Sequence, residues 1–163
     1  MKFLSLCTAL VATLPFASAY WKGFNMAAQN ADGSCRTQAQ WKSAFKKLKS
    51  QPGHITSVRL YASSDCNTLQ NAVPAAIATG TQILVGVWAE DWNHYNAEKQ
   101  ALVDAIKAHG SNWMIAISVG SEDLYRGDTS ASTLAGQIYD VRGMVRALGV
   151  KQEVGHVDTW TAW

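Results

Sequence analysis

The stretch ISVGSEDLYRG, residues 117–127, opens as an apolar run, passes through Gly120 and Ser121, and stops on the carboxylates Glu122 and Asp123. As the end of a strand over Trp113–Gly120, alternation places Met114, Ala116, Ser118, Gly120 and Glu122 on one side. Trp113, Ile115, Ile117 and Val119 fall on the other. The bulky side suits a covering layer of helices, and the small, polar side suits a crowded barrel interior. Similar segments recur on either side of it. Trp21–Ala27, Ile55–Tyr61, Gln82–Ala89 and Val154–Trp160 read as strands.

Helical stretches fill the gaps. Thr37 with Gln40 three residues on forms a capping box for a helix to about Lys49, with Trp41, Phe45 and Leu48 on one face. Leu69–Ala78, Asn96–Ala108 and Ser130–Leu148 are expected helices, closed by Gly80, Gly110 and Gly149. Pro74 lies close enough to the start of its helix to be tolerated. Strands alternating with helices imply an α/β fold with parallel strands and right-handed crossovers. An open doubly wound sheet and a (β/α)8 TIM barrel both fit. No G-x-G-x-x-G or G-x-x-x-x-G-K-[ST] fingerprint supports a nucleotide-binding open sheet. A unit of about 30 residues is typical of barrels, and eight units need roughly 250. The chain has 163 residues, so a barrel reading gives four βα units and a fifth strand, a partial barrel.

Barrel enzymes build their sites at the C-terminal ends of the strands. Alternation groups Ser57, Arg59 and Tyr61 on the second strand, Gln82, Leu84, Gly86, Trp88 and Glu90 on the third, and His156, Asp158 and Trp160 on the fifth. Arg59, Tyr61, Trp88, Glu90, Glu122, Asp158 and Trp160 would then share one rim. Aromatic rings pack on apolar sugar faces, and carboxylates bind hydroxyls or do acid–base work, so this mixture suits a carbohydrate site. Blander readings exist. Glu122 and Asp123 could favour the start of a following helix through its dipole, and Arg59 could neutralise carboxylates. Trp41 and Trp113 read as core, whereas Trp88 and Trp92 fit core and sugar platform equally.

A formal charge of +2 without a basic stripe gives no case for nucleic acid. The four histidines lack metal-ligand spacing, so no metal and no cofactor is expected. Residues 1–19 combine Lys2, a short apolar run and Ala17-Ser18-Ala19, which reads as a secretory signal cut after Ala19, too short to span a bilayer. Residues 20–163 form the mature part, and no second long apolar run anchors it in a membrane. Cleavage removes Cys7 and leaves Cys35 and Cys66, expected to pair in an oxidising compartment, with two free buried thiols as the other reading. No Asn-x-Ser/Thr sequon occurs.

The motifs GFNMA (23–27), VRLYASSDC (58–66), ILVGVWAED (83–91), ISVGSEDLYRG (117–127) and VGHVDTWTAW (154–163), in that order and spacing, resemble the fungal branch of glycoside hydrolase family 17. The resemblance covers the whole mature part. It implies a (β/α)8 barrel acting on β-1,3-glucan with retention, by hydrolysis or transglycosylation, in a secreted, wall-associated protein. It implies that Glu122 is the general acid/base, and that Ser121 stands where many members carry a substrate-holding Asn. Asn25, Arg59, Tyr61, Trp88, Glu90, Ser121, Asp158 and Trp160 are the candidate glucan contacts. The family's nucleophile is a second Glu on a later strand, so the chain is expected to hold the acid/base half of the site. A non-catalytic glucan-binding wall protein, or an inactive truncated product, is the alternative.

Overall fold

The computed structural model describes residues 21–162, so the expected signal segment lies outside the described residues. Five strands, β1 Gly23–Met26, β2 Ser57–Leu60, β3 Gln82–Val87, β4 Met114–Val119 and β5 Glu153–Gly155, form one parallel sheet in sequence order. The helices are α1 Gln38–Lys49, α2 Thr68–Thr79, α3 Trp92–His109, the short α4 Asp123–Arg126 and α5 Ala131–Ala147.

Local chemistry sets the helix ends. Thr37 Oγ1 accepts from Gln40 N while the Gln40 side chain accepts from Thr37 N, completing the expected capping box. Asp91 caps α3 by accepting from His94 N at 2.9 Å, so this helix starts four residues before the expected Asn96. Gly80, in the left-handed region, ends α2. Pro74 lies in the interior of that helix rather than at its start.

The core lies between sheet and helices. Val58, Ile83, Val85, Ile117, Val119 and Val154 meet Trp41 and Phe45 of α1, Leu69 and Val73 of α2, Tyr95 and Leu102 of α3 and Val141 and Val145 of α5. Trp41 and Trp113 are core residues, as expected. The other face carries the row Asn25, Arg59, Leu84, Ala116 and Glu153, adjacent in register across all five strands.

Two parities differ from the sequence reading. The β3–β4 register passes from Ile83↔Met114 to Leu84↔Ala116, so Ile115 is an extra, unmatched residue. Such a bulge reverses alternation on its N-terminal side, and Met114 therefore joins the helix-facing core. Strand β5 ends at Gly155 rather than Trp160. Val154 pairs with Ile117 and is buried in the core, so the even-numbered position of β5 faces the helices, and His156 lies beyond the strand with its side chain enclosed.

Disulfide Cys35–Cys66 forms, with Cα atoms 5.1 Å apart, tying the loop after β1 to the turn after β2. Among the described residues no helix is long and apolar enough to cross a membrane.

Candidate active site

Strand β4 ends in a compressed backbone. Gly120 has φ +71°, and a Cβ there would overlap the Asp123 carboxylate, so only glycine fits. Asp123 is buried, and its Oδ2 accepts from Ser121 N, closing the turn from below. Glu122, between Ser121 and Asp123 in the chain, takes a left-handed conformation at φ 62° and ψ 22°, which is costly for a residue with a Cβ and recurs at functional sites. Its N–H donates to Val157 O at 3.0 Å, securing the backbone to the segment after β5. Its side chain is left 49% exposed at the rim.

Two cations flank it. Arg59 Nη2 donates to Ser121 Oγ at 3.0 Å, and the guanidinium lies 4.9 Å from the Tyr61 ring centre. Burial pushes the Arg59 pKa down, partly offset by the charges of Tyr61 and Glu122. Arg59 thus contacts the site residues Ser121 and Tyr61 and feels Glu122, which goes beyond neutralising a carboxylate. Arg126, four residues after Glu122, is the second cation. Its Nη1 is 3.9 Å from Glu122 Oε2, its Nη2 2.7 Å from Glu90 Oε1, and its Nε 2.6 Å from Asp128 Oδ2. The Asp128 hydrogen bond, opposed by slight burial and aided by the charges of Asp128, Glu90 and Asp123, raises its pKa. The guanidinium also sits 5.4 Å from the Trp88 ring centre.

Arg59, Tyr61, Trp88, Glu90, Ser121 and Glu122 are therefore linked at the C-terminal ends of β2, β3 and β4. Asn25 is exposed and pairs in register with Arg59. Trp160 is 88% exposed. Asp158 departs from expectation. Its side chain has no exposure, and Oδ2 accepts from Leu124 N at 3.0 Å and lies 2.9 Å from His156 Nε2. Oδ1 accepts from Thr159 N at 2.7 Å. Burial opposes its charge, but His156 and the amides of Thr159, Leu124 and Tyr125 outweigh burial and hold the carboxyl below its ordinary range. Asp158 is an anchor for α4, enclosed too fully to meet a sugar.

Two residues escaped the sequence reading. Arg126 was detectable as the i+4 partner of Glu122. Glu98 was detectable as a charge on the apolar seam of α3, between Tyr95 and Leu102. Glu98, Asp65 and His94 are the one group among the described residues that brings three metal-type ligand atoms within 4.8 Å. Both Glu98 oxygens already accept hydrogen bonds from the backbone, so a cation would have to displace existing donors. The expectation of no metal carries over as a reading.

Residues 23–163 match the family model described as the BtgE/BtgC glycoside hydrolase domain. The chain belongs to that family. It is 40% identical over 161 residues to a glucan 1,3-beta-glucosidase of Saccharomyces cerevisiae, covering 94% of this chain and 50% of the relative. It is 36% identical to a probable glucan endo-1,3-beta-glucosidase of Aspergillus oryzae, covering 95% of this chain and 38% of that protein. The crystal structure of a glycoside hydrolase family 17 beta-1,3-glucanosyltransferase from Rhizomucor miehei superposes with TM-score 0.68 at 34% identity, over 81% of this chain and 48% of that one. An active-site mutant of the Rhizomucor miehei beta-1,3-glucanosyltransferase in complex with laminaritriose gives TM-score 0.72 at 32% identity, over 88% and 51%. The family 17 resemblance and the α/β barrel class both hold. The chain spans about half the length of the first curated relatives it matches.

Proposed function

We propose that this chain carries the acid/base half of a retaining β-1,3-glucan-acting glycoside hydrolase, with Glu122 as general acid/base. The supporting observation is the turn at Gly120–Asp123, which keeps Glu122 in a costly left-handed conformation and half exposed beside Arg59 and Arg126. A fold that maintains such strain gains something by it, and presenting a carboxylate to solvent at the strand end is the simplest gain. Ser121, held by Arg59, offers its hydroxyl beside it. Tyr61 and Trp88 supply rings for the apolar faces of glucosyl units, with Asn25, Glu90 and Trp160 as outlying contacts.

Retention requires a second carboxyl about 5–5.5 Å from the first, acting as nucleophile, and this reading takes it from sequence beyond residue 163. Glu122 then protonates the leaving oxygen and later deprotonates the incoming water or sugar hydroxyl. The disulfide supports the further reading of a secreted, wall-associated protein whose partner is the glucan polysaccharide.

The test assays this chain, and the chain extended by downstream coding sequence, on laminari-oligosaccharides. Activity confined to the extended form and lost in Glu122→Gln supports the assignment. Activity that survives Glu122→Gln sinks it. The exposed rings of Tyr61, Tyr125 and Trp160 favour one other reading, a glucan-binding module without catalysis. Retention of the chain on insoluble β-1,3-glucan without turnover by either form would select that reading.

A further inference from the structure

We propose that Glu98 of α3 is a positioning residue whose buried carboxylate sets the backbone that carries Tyr61 and Trp88, two aromatic rings at the C-terminal rim of the sheet. The sugar-facing part of this proposal rests on the glucan reading above; the hold on the backbone does not.

Glu98 has no exposure, yet it contacts two strand ends at once. Oε1 accepts from Ser64 N at 2.7 Å and from Ser64 Oγ. Oε2 accepts from Ser63 N at 2.5 Å and from Trp88 N at 3.1 Å. Four donors, two from consecutive amides after β2 and one from the amide just after β3, match the lone-pair capacity of an ionised carboxylate. Charge-assisted bonds of this type are about twice as strong as neutral ones, and a buried carboxylate is retained only when so satisfied.

The same junction is tight elsewhere. Ser63 Oγ donates to Gly86 O at 2.7 Å, and a Cβ on Gly86 would overlap the Tyr61 carbonyl. The turn after β2 thus lies directly on β3, leaving Tyr61 and Trp88 little freedom to shift relative to each other. His94 borders the carboxylate, with Nε2 3.5 Å from Glu98 Oε1 and 2.8 Å from Asp65 Oδ1, and separates it from the exposed Asp65. A ring fixed before the ligand arrives avoids the ordering cost that otherwise reduces affinity.

A glutamine at this position is nearly isosteric but has one acceptor oxygen, and its amide nitrogen would face N–H donors. The experiment compares Glu98→Gln with Val141→Ala, a cavity variant at a buried core position of α5. Two properties are read: hydrogen exchange at the amides of Ser63, Ser64 and Trp88, and the dissociation constant for laminari-oligosaccharides from tryptophan fluorescence. Glu98→Gln is expected to speed exchange at all three amides and weaken binding about tenfold, the range that follows from stranding buried donors. Val141→Ala, even at an equal loss of unfolding temperature, is expected to leave both within about twofold.

Unchanged amide exchange in Glu98→Gln would overturn the proposal. So would loosened amides with wild-type affinity, which would reduce Glu98 to a local strut. Should Glu98→Gln fail to fold, Ser64→Ala removes only the hydroxyl donor and is expected to give the same pattern at about twofold to threefold; no change in either readout would again count against it. Absence of binding by the wild-type chain would end the sugar-facing role together with the glucan reading, and amide exchange would still decide the hold on the backbone.

Discussion

Strands β4 and β5 both lead to a carboxylate at the same end of the sheet, and the two acids have opposite fates. Asp158 is enclosed, and its oxygens are taken up by His156 and the backbone amides around α4. Glu122 is half exposed, has one cation at 3.9 Å, and occupies a backbone conformation that disfavours it. Burial with a full complement of donors makes an acid part of the scaffold. Strain with few donors leaves an acid available for chemistry. Glu98 belongs with Asp158 in this respect, since its four donors are all structural.

The largest expected effect separates the two acids by activity. In the catalytically complete form, Glu122→Gln should lower the rate about 10²–10⁴-fold, the usual contribution of a general acid/base, with the unfolding temperature barely changed. Asp158→Asn should do the reverse. It replaces one acceptor oxygen with an amide facing N–H donors, and should cost about 1–3 kcal/mol in denaturant unfolding. Equal activity losses in the two variants, measured as kcat/KM, would erase the distinction.

Next comes Gly120→Ala. The added methyl meets the Asp123 carboxylate at positive φ, so about 1–3 kcal/mol should be lost and Glu122 displaced with it. An alanine variant with wild-type stability and rate would show that the turn does not hold Glu122. A pH effect follows from Asp158 itself. Its folded pKa lies below the unfolded value, so its stabilisation is complete above about pH 4 and is lost as pH falls through the folded value. Acid unfolding of the Asp158→Asn chain should therefore show a shallower slope below about pH 4. An unchanged slope would mean that other carboxylates dominate.

Much of this could be read from the residues, and the failures are specific. Parity correctly put Arg59, Leu84 and Ala116 on the open face, because parallel strands in register share a face. It failed at Met114, where the bulge at Ile115 inserts a residue that alternation cannot anticipate. It failed at Asp158 because β5 stops at Gly155, and beyond a strand end the chain is shaped by hydrogen bonds to whatever lies beside it, here α4. Helix α4 itself is one turn, too short for periodicity to register. Glu98 was hidden differently: a charge on an apolar seam marks burial, but its donors lie 10 to 35 residues away and only the folded sheet brings them together.

The smallest effect tests the strain at Glu122. A left-handed residue with a Cβ costs about 1–2 kcal/mol relative to glycine in the same place. Glycine in turn loses more chain entropy on folding, by about 0.5–1 kcal/mol. The two terms leave Glu122→Gly more stable by up to about 1.5 kcal/mol, while the proposed acid/base function is expected to disappear. Loss of the 3.9 Å approach to Arg126 subtracts little, because the pair is half exposed and Arg126 keeps its closer contacts with Glu90 and Asp128. Urea unfolding resolves a change of this size. A gain in stability with loss of activity would mean that the fold gives up stability to present this carboxylate. A loss of stability would show that Glu122, like Asp158, contributes chiefly to the scaffold.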